Sequence, residues 1–260
     1  MIGVFDSGVG GLTVVREIKK QLPDVSIIYF GDTARLPYGN KSRETIQKYS
    51  SEIVDFLLSK GCETIVVACN TASALAADYL REKFPDLKIY DVVSSGAEAA
   101  AETTKANRVG VIGTTATISS SVYKKKITEL KPGIEVFSQA CPLVVPLVEE
   151  NWINRPETKK IARAYLRGLK LQKVDALLLG CTHYPLLEKV IAGVMGKRTK
   201  VIASGKKLAE KLAGDLGSAR NSSSSEAGRD EYFVSDLTPH FEKLASRILG
   251  KRVEIEKIEI

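Results

Sequence analysis

No run of apolar residues in this 260-residue chain approaches the ~20 that a membrane span requires, so neither a spanning helix nor a membrane partner is expected. The opening Met1-Ile-Gly-Val-Phe-Asp6 lacks the basic segment and apolar core of a signal peptide, and a cytoplasmic setting is the expectation. Cysteine is scarce. Cys62, Cys69, Cys141 and Cys181 are too few for a disulfide framework in a chain of this size, and no pair is spaced C-x-x-C. Only His183 and His240 could complete a metal site, so no metal is expected. Gly8-Val-Gly10-Gly11 lacks the full G-x-G-x-x-G spacing, and with Asp32 in a turn-rich loop it does not carry a dinucleotide reading.

The net charge of +7 invites a nucleic-acid reading, but Lys and Arg are spread along helices and interleaved with Glu. The densest run, Lys124-Lys125-Lys126, has Glu129 close behind, as on a solvated helix face. No nucleic-acid module accompanies it, and no nucleic-acid partner is expected. An anionic small substrate would benefit from the positive field.

What is present is a repeated rhythm of strand, short loop and helix. Ile2–Phe5, Ser26–Phe30, Thr64–Ala68 and Lys88–Tyr90 are short apolar runs bounded by turn signals, which predicts buried parallel strands. Helical periodicity fills Gly11–Leu22, Ser42–Lys60 and Ala72–Phe84. The alternation restarts with strands at Arg108–Ile112, Ile134–Phe137, Ala176–Leu179 and Lys200–Ile202. Helices are expected at Ile118–Leu130, Glu157–Leu171, Leu186–Val194 and Lys206–Leu216. This predicts an α/β fold of two similar α/β domains with mainly parallel sheets. The first boundary is expected near Ser94–Gly96. A Ser-rich stretch from Gly217 to Gly228 is expected as a mobile loop. A strand at Tyr232–Ser235, a helix at Pro239–Leu249 and a strand at Val253–Ile258 could return to either half.

Two cysteines occupy matching places in the two halves. Glu63-Thr-Ile-Val-Val-Ala-Cys69-Asn-Thr and Asp175-Ala-Leu-Leu-Leu-Gly-Cys181-Thr-His each run from an acidic residue through an apolar strand to a small residue and then Cys. In a doubly wound sheet, ligands bind at the carboxyl ends of the strands. A lone Cys after an apolar strand is more often a buried hydrophobe than a nucleophile. Here the thiols form a pair, polar residues follow each, and a helix start after each is expected to lower its pKa. Two facing thiols could remove a proton from one side of a carbon and return one to the other; a reversible disulfide and simple packing stay open. Cys62 lies at the wrong strand end and reads as core, and Cys141 favours packing. Asp6 and Ser7 could cap a helix or join the site. His183 suits a proton relay or a carboxylate contact, and His240 reads as surface.

Six motifs occur in order: Phe5-Asp-Ser-Gly-Val-Gly-Gly-Leu-Thr13, Gly31-Asp-Thr-Ala-Arg-Leu-Pro-Tyr-Gly39, Ala68-Cys-Asn-Thr-Ala72, Gly110-Val-Ile-Gly-Thr114, Pro142-Leu-Val-Val-Pro-Leu-Val-Glu-Glu150 and Gly180-Cys-Thr-His-Tyr-Pro185. Together they resemble the glutamate racemases of the cofactor-independent aspartate/glutamate racemase superfamily. The resemblance covers nearly the whole chain. It implies a first domain of residues 1–95 plus 207–260 and a second of 96–206, with the active site in the cleft between them. It further implies two-base racemisation of glutamate without a cofactor, supplying D-glutamate for peptidoglycan, in a chain whose relatives are commonly dimers. Cys69 would serve the D-enantiomer with Asp6 assisting, and Cys181 the L-enantiomer with His183 assisting. Of Glu149 and Glu150, Glu150 is taken by analogy as the helper beside His183. Ser7, Tyr38, Gly39, Asn70, Thr71, Thr114 and Thr182 would hold the substrate's carboxylates and ammonium. Two departures stand out: Val92-Val-Ser-Ser-Gly96 lacks the acidic-Pro pair common in relatives, and Ala203 stands where Asp is common. A racemase acting on aspartate would share both cysteines. A non-enzymatic amino-acid-binding protein would not require them.

Overall fold

The computed structural model describes residues 1–217 and 229–260; residues 218–228, most of the Ser-rich stretch, lie outside the described residues. The chain begins with β1 (Ile2–Asp6), α1 (Leu12–Gln21), β2 (Ile27–Gly31), α2 (Arg43–Ser59), β3 (Thr64–Val67), α3 (Asn70–Lys83), β4 (Lys88–Asp91) and α4 (Val92–Thr103). It continues through β5 (Arg108–Gly113), α5 (Thr115–Ser119), α6 (Val122–Leu130), β6 (Glu135–Ala140), α7 (Val144–Glu149) and α8 (Pro156–Leu171). Next come β7 (Ala176–Gly180), α9 (Glu188–Met195), β8 (Lys200–Ala203), α10 (Ser204–Gly217), β9 (Glu231–Val234), α11 (Pro239–Leu249) and β10 (Glu256–Lys257).

These strands form two parallel sheets, ordered β10-β9-β2-β1-β3-β4 and β6-β5-β7-β8. Each half places its second strand beside its first, then its third and fourth, so β2-β1-β3-β4 corresponds to β6-β5-β7-β8. Every residue of β1, β2, β3 and β7 is buried, as expected of parallel strands covered by helices on both faces. After α10 the chain returns to the first sheet, where β9 pairs with β2.

Register aligns the strand ends. Asp6 pairs with Gly31, and Ala68 N–H donates to the Phe5 carbonyl at 2.9 Å, so Ser7, Asp32 and Cys69 emerge at one edge. Gly113 pairs with both Ala140 and Gly180, which places Thr114, Cys141 and Cys181 at the corresponding edge of the second sheet.

The structure differs from the sequence reading at three helices. Residues 118–130 do not form one helix: the Ser120 hydroxyl donates to Thr117 O at 2.7 Å and accepts from Val122 N–H at 3.3 Å, and Ser121 takes φ 56°. A short side chain competing for backbone partners explains the break between α5 and α6. The segment at the expected boundary is helical, because Asp91 caps α4 by accepting from Ser94 N–H at 2.7 Å. The face Val93, Ala97 and Ala100 then buries against Ala176 and Leu178, joining the two halves in one core. Both expected boundaries, near 95 and 206, therefore fall within helices, α4 and α10. The apolar run 143–148 also folds as a helix, α7, with consequences at the site.

Candidate active site

A cavity of about 400 Å³ opens where the two carboxyl edges meet, lined by both Cys69 and Cys181. Ser7, Tyr38, Gly39, Asn70, Thr71, Thr114, Thr182 and His183 share its wall, so the substrate-holding residues named from the sequence converge on one space. Asp6 lies fully buried beside it. Another cleft of about 630 Å³ between α1, α4 and α10 is lined by neither cysteine nor histidine.

Each thiol has its own surroundings. Cys69 is the N-cap of α3; its Sγ accepts from Ala72 N–H at 3.5 Å and lies 3.7 Å from Ser7 Oγ. Burial, reinforced by the Asp6 charge, nevertheless pushes this thiol up to about 12. The expectation that the helix start lowers it is thus overruled: one peptide N–H does not offset complete desolvation beside a carboxylate.

On the opposite wall, Cys181 Sγ lies 3.9 Å from His183 Nδ1, and His183 Nε2 lies 3.2 Å from Glu149 Oε1. Burial works against a charged imidazole here, but Cys181 and Glu149 outweigh it and raise His183 to about 10. At neutral pH His183 is an imidazolium facing a sulfur.

Asp6 stands between these environments. Its Oδ2 accepts from Gly8 N–H at 3.0 Å, and its Oδ1 accepts from Thr182 Oγ1 at 3.3 Å across the cleft. Burial raises its carboxyl despite the opposing effect of His183 and the donors from Gly8, Gly11 and Thr182. The glycine loop makes this close approach possible: a Cβ on Gly10 would lie 2.4 Å from Thr182 Oγ1, and one on Gly11 would lie 2.3 Å from Asp6 Cβ. The Gly8–Gly11 loop, which lacks the dinucleotide spacing, instead seats the opposite half of the site. Thr13 Oγ1 adds a second tie, placed to donate to Gly10 O at 2.8 Å and to Thr182 O at 3.2 Å.

Hydroxyls crowd one side. Thr71 Oγ1 lies 3.0 Å from Thr114 Oγ1, which lies 3.0 Å from Thr117 Oγ1, linking the halves again. Tyr38 donates to the buried Asp32 carboxylate, which also accepts from Arg35 Nε at 2.7 Å and Ser235 Oγ at 2.9 Å. Burial and the Asp32 charge hold the Tyr38 phenol far above its usual range, keeping it a neutral donor. Among the described residues, no group of three or more His, Cys, Asp or Glu is arranged to hold a metal, and no helix is long and apolar enough to cross a membrane.

With that geometry in view, residues 2–212 match the Asp/Glu/Hydantoin racemase family. The chain belongs to this family. It is accordingly an amino-acid racemase, an isomerase. It is 48% identical to the glutamate racemase of Geobacter metallireducens over 97% of this chain and 93% of that protein. Identity to the Chlorobaculum tepidum glutamate racemase is 45%, covering 100% of this chain and 95% of the other. Among solved structures, glutamate racemase isoform RacE1 from Bacillus anthracis superposes with a TM-score of 0.95 at 37% identity, covering 100% of this chain and 97% of that one. The glutamate racemase of Francisella tularensis, solved in complex with D-glutamate, gives 0.92 at 36% identity over the same shares.

One family assignment made from the sequence needs correction. The carboxylate beside His183 belongs to Glu149, whereas Glu150 is exposed and does not line the cavity. The reason is helical spacing: Pro142, Val145, Pro146 and Glu149 recur at the interval that keeps one face of α7 toward the cavity. Glu150 stands one residue, about 100°, further round. Recognising 143–149 as a helix would have made this choice from the sequence. His240 is exposed, as expected, but its Nε2 meets the Glu149 backbone carbonyl, so α11 touches the turn that carries Glu149. Cys62 and Cys141 are buried in the cores, away from the cavity wall.

Proposed function

We propose that this racemase interconverts L- and D-glutamate by a two-base mechanism in which Cys69 and Cys181 act on opposite faces of the α-carbon, without metal or pyridoxal phosphate. The observation that carries this reading is the convergence of two thiols from equivalent strand ends on a single cavity. Glutamate is supported by the named relatives and by the Francisella protein solved with D-glutamate.

In an L-to-D turnover Cys181, beside His183, is the base that takes the α-proton of L-glutamate. Cys69, resting as a thiol, gives its proton to the opposite face, leaving D-glutamate, a Cys181 thiol and a Cys69 thiolate. Proton exchange with solvent resets the pair. Deprotonating Cys69 in the empty cavity at pH 8 costs about 5 kcal/mol even with the Ser7 and Ala72 hydrogen bonds in place, so the substrate ammonium must offset it in the reverse direction. Asp6 assists on that side. It has no hydrogen bond to Cys69 among the described residues and its charge opposes a Cys69 thiolate, so its help runs through proton exchange. Ser7, Tyr38, Gly39, Asn70, Thr71, Thr114 and Thr182 hold the carboxylates and ammonium; apart from the Tyr38 hydroxyl, which donates to Asp32, they supply the fixed donors that a developing carbanion needs.

The same reading assigns residues 1–95 with 207–260 to one domain and 96–206 to the other, closing over the substrate through α4 and α10. A smaller scattering radius with glutamate bound would be its signature. Supply of D-glutamate for peptidoglycan, a cytoplasmic setting and a homodimer accompany it on the strength of the family resemblance. Chiral chromatography after incubation with L-glutamate or L-aspartate, without added cofactor, tests the substrate. Racemisation of glutamate and not aspartate is expected. The reverse preference would make the chain an aspartate racemase.

A further inference from the structure

We propose that Tyr123, on α6, is a positioning residue that joins the two half-sites by fixing the Asn70 carboxamide against the cavity. This rests on the glutamate reading above, but its geometry stands apart from it. The Tyr123 side chain is 2% exposed, and its hydroxyl donates to Asn70 Oδ1 at 2.6 Å. Asn70 follows Cys69 and lines the cavity. With Oδ1 taken by the phenol, the acceptor end of the amide is turned away and the Nδ2 donors are left for a bound anion. A flipped amide would offer an acceptor to a substrate carboxylate and leave the phenol facing N–H donors.

The same ring reaches the other half-site. A Cβ added to Gly180, which precedes Cys181, would come within 3.0 Å of Tyr123 Cε2. One side chain thus touches the neighbour of each thiol, through its hydroxyl on one side and its ring edge on the other. Burial pushes the phenol above its usual range, so it remains a donor across the working pH. Tyr123 comes from the second sheet's side of the molecule and Asn70 from the first, so the hydrogen bond forms only when the halves are in this relation.

The direct test replaces Tyr123 with Phe, which keeps the ring and removes the donor. In Tyr123→Phe, KM for both enantiomers should rise about five- to tenfold with kcat changed less, as for loss of one hold on a buried amide. In an Asn70→Ala background the same replacement should have no further effect, because Tyr123 acts through Asn70. Unchanged KM in Tyr123→Phe, or additive losses in the double variant, would overturn the proposal. A measurement without turnover keeps the two readings apart: the Asn70 side-chain amide proton pair, followed by NMR in the free protein. A distinct pair in the wild type that broadens or shifts in Tyr123→Phe supports the tie even if glutamate is the wrong substrate, and an indifferent pair refutes it. Should Tyr123→Phe fold poorly, Asn70→Asp serves: it keeps an acceptor for Tyr123 but has no N–H donors. It should weaken D-glutamate binding at least as much as Asn70→Ala, and wild-type affinity in Asn70→Asp would refute the donor role.

Discussion

The two half-sites share a scaffold and differ in charge. Each places a cysteine just after the third strand of a sheet whose strands run in the same order, at the edge where the first strand of that half also ends. Cys69 has a hydroxyl, a peptide N–H and a buried carboxylate nearby, and rests as a thiol pushed up to about 12. Cys181 has a histidine raised to about 10 and backed by Glu149. Equal topology therefore delivers equal positions and unequal surroundings. The proposed two-base mechanism needs one face to begin as base and the other as acid, and the neighbours of the thiols are where that difference would arise.

The largest effect should come from removing either sulfur. Cys69→Ser and Cys181→Ser should each lose at least about 1,000-fold in racemisation, measured by circular dichroism or chiral chromatography. Substantial activity in either variant would break the two-base account.

Replacing the helpers sharpens the comparison. Asp6→Asn and His183→Asn should each lower kcat/KM about 100-fold. Because enantiomers have equal free energy, kcat/KM must fall equally in both directions, so the asymmetry cannot appear there. It should appear in the isotope effect: His183→Asn should raise the effect for α-deuterated L-glutamate more than for the D-enantiomer, and Asp6→Asn the converse. Identical changes for both variants would show that the half-sites are not specialised.

A smaller effect separates the neighbouring glutamates. Glu149→Gln should cost about tenfold in kcat by weakening its hold on His183, while Glu150→Gln should stay within about twofold.

Much of this contrast could be read from the sequence, and its limits have physical causes. The apolar runs at Ile2–Phe5, Thr64–Ala68 and Ala176–Leu179 announced buried parallel strands, because parallel strands need apolar residues on both faces, and β1, β3 and β7 lie there within one residue at their ends. Cys69, Cys181, His183 and the hydroxyl-rich motifs sit next to those strands, so their common wall followed from topology. Whatever depended on long-range neighbours was hidden. The choice of Glu149 needed the helical phase of α7, and the role of Gly10 needed the approach of Thr182 across 172 positions of chain. The high Cys69 pKa follows from burial beside Asp6, which no local pattern reports. Nothing in the local pattern marks Tyr123, because its partners, Asn70 and Gly180, lie at the edges of different sheets.

The subtlest expected effect concerns pH and stability. The folded-state pKa of His183 is raised from its usual value near 6.5 to about 10, so its stabilisation is fully present below about 6.5 and fades as pH rises through about 10. The difference in thermal midpoint between wild type and His183→Gln should shrink across that interval. A difference that stayed constant would remove the charged His183 from the account.

The central claim is that two sulfurs serve opposite faces of one bound α-carbon, and the placement of deuterium tests it most directly. L-glutamate converted in deuterated buffer, sampled at early times, should yield D-glutamate carrying deuterium at Cα while the remaining L-glutamate keeps its proton. D-glutamate that retains the original proton, or deuterium entering the L-pool as fast as product forms, would mean that one group handles both faces.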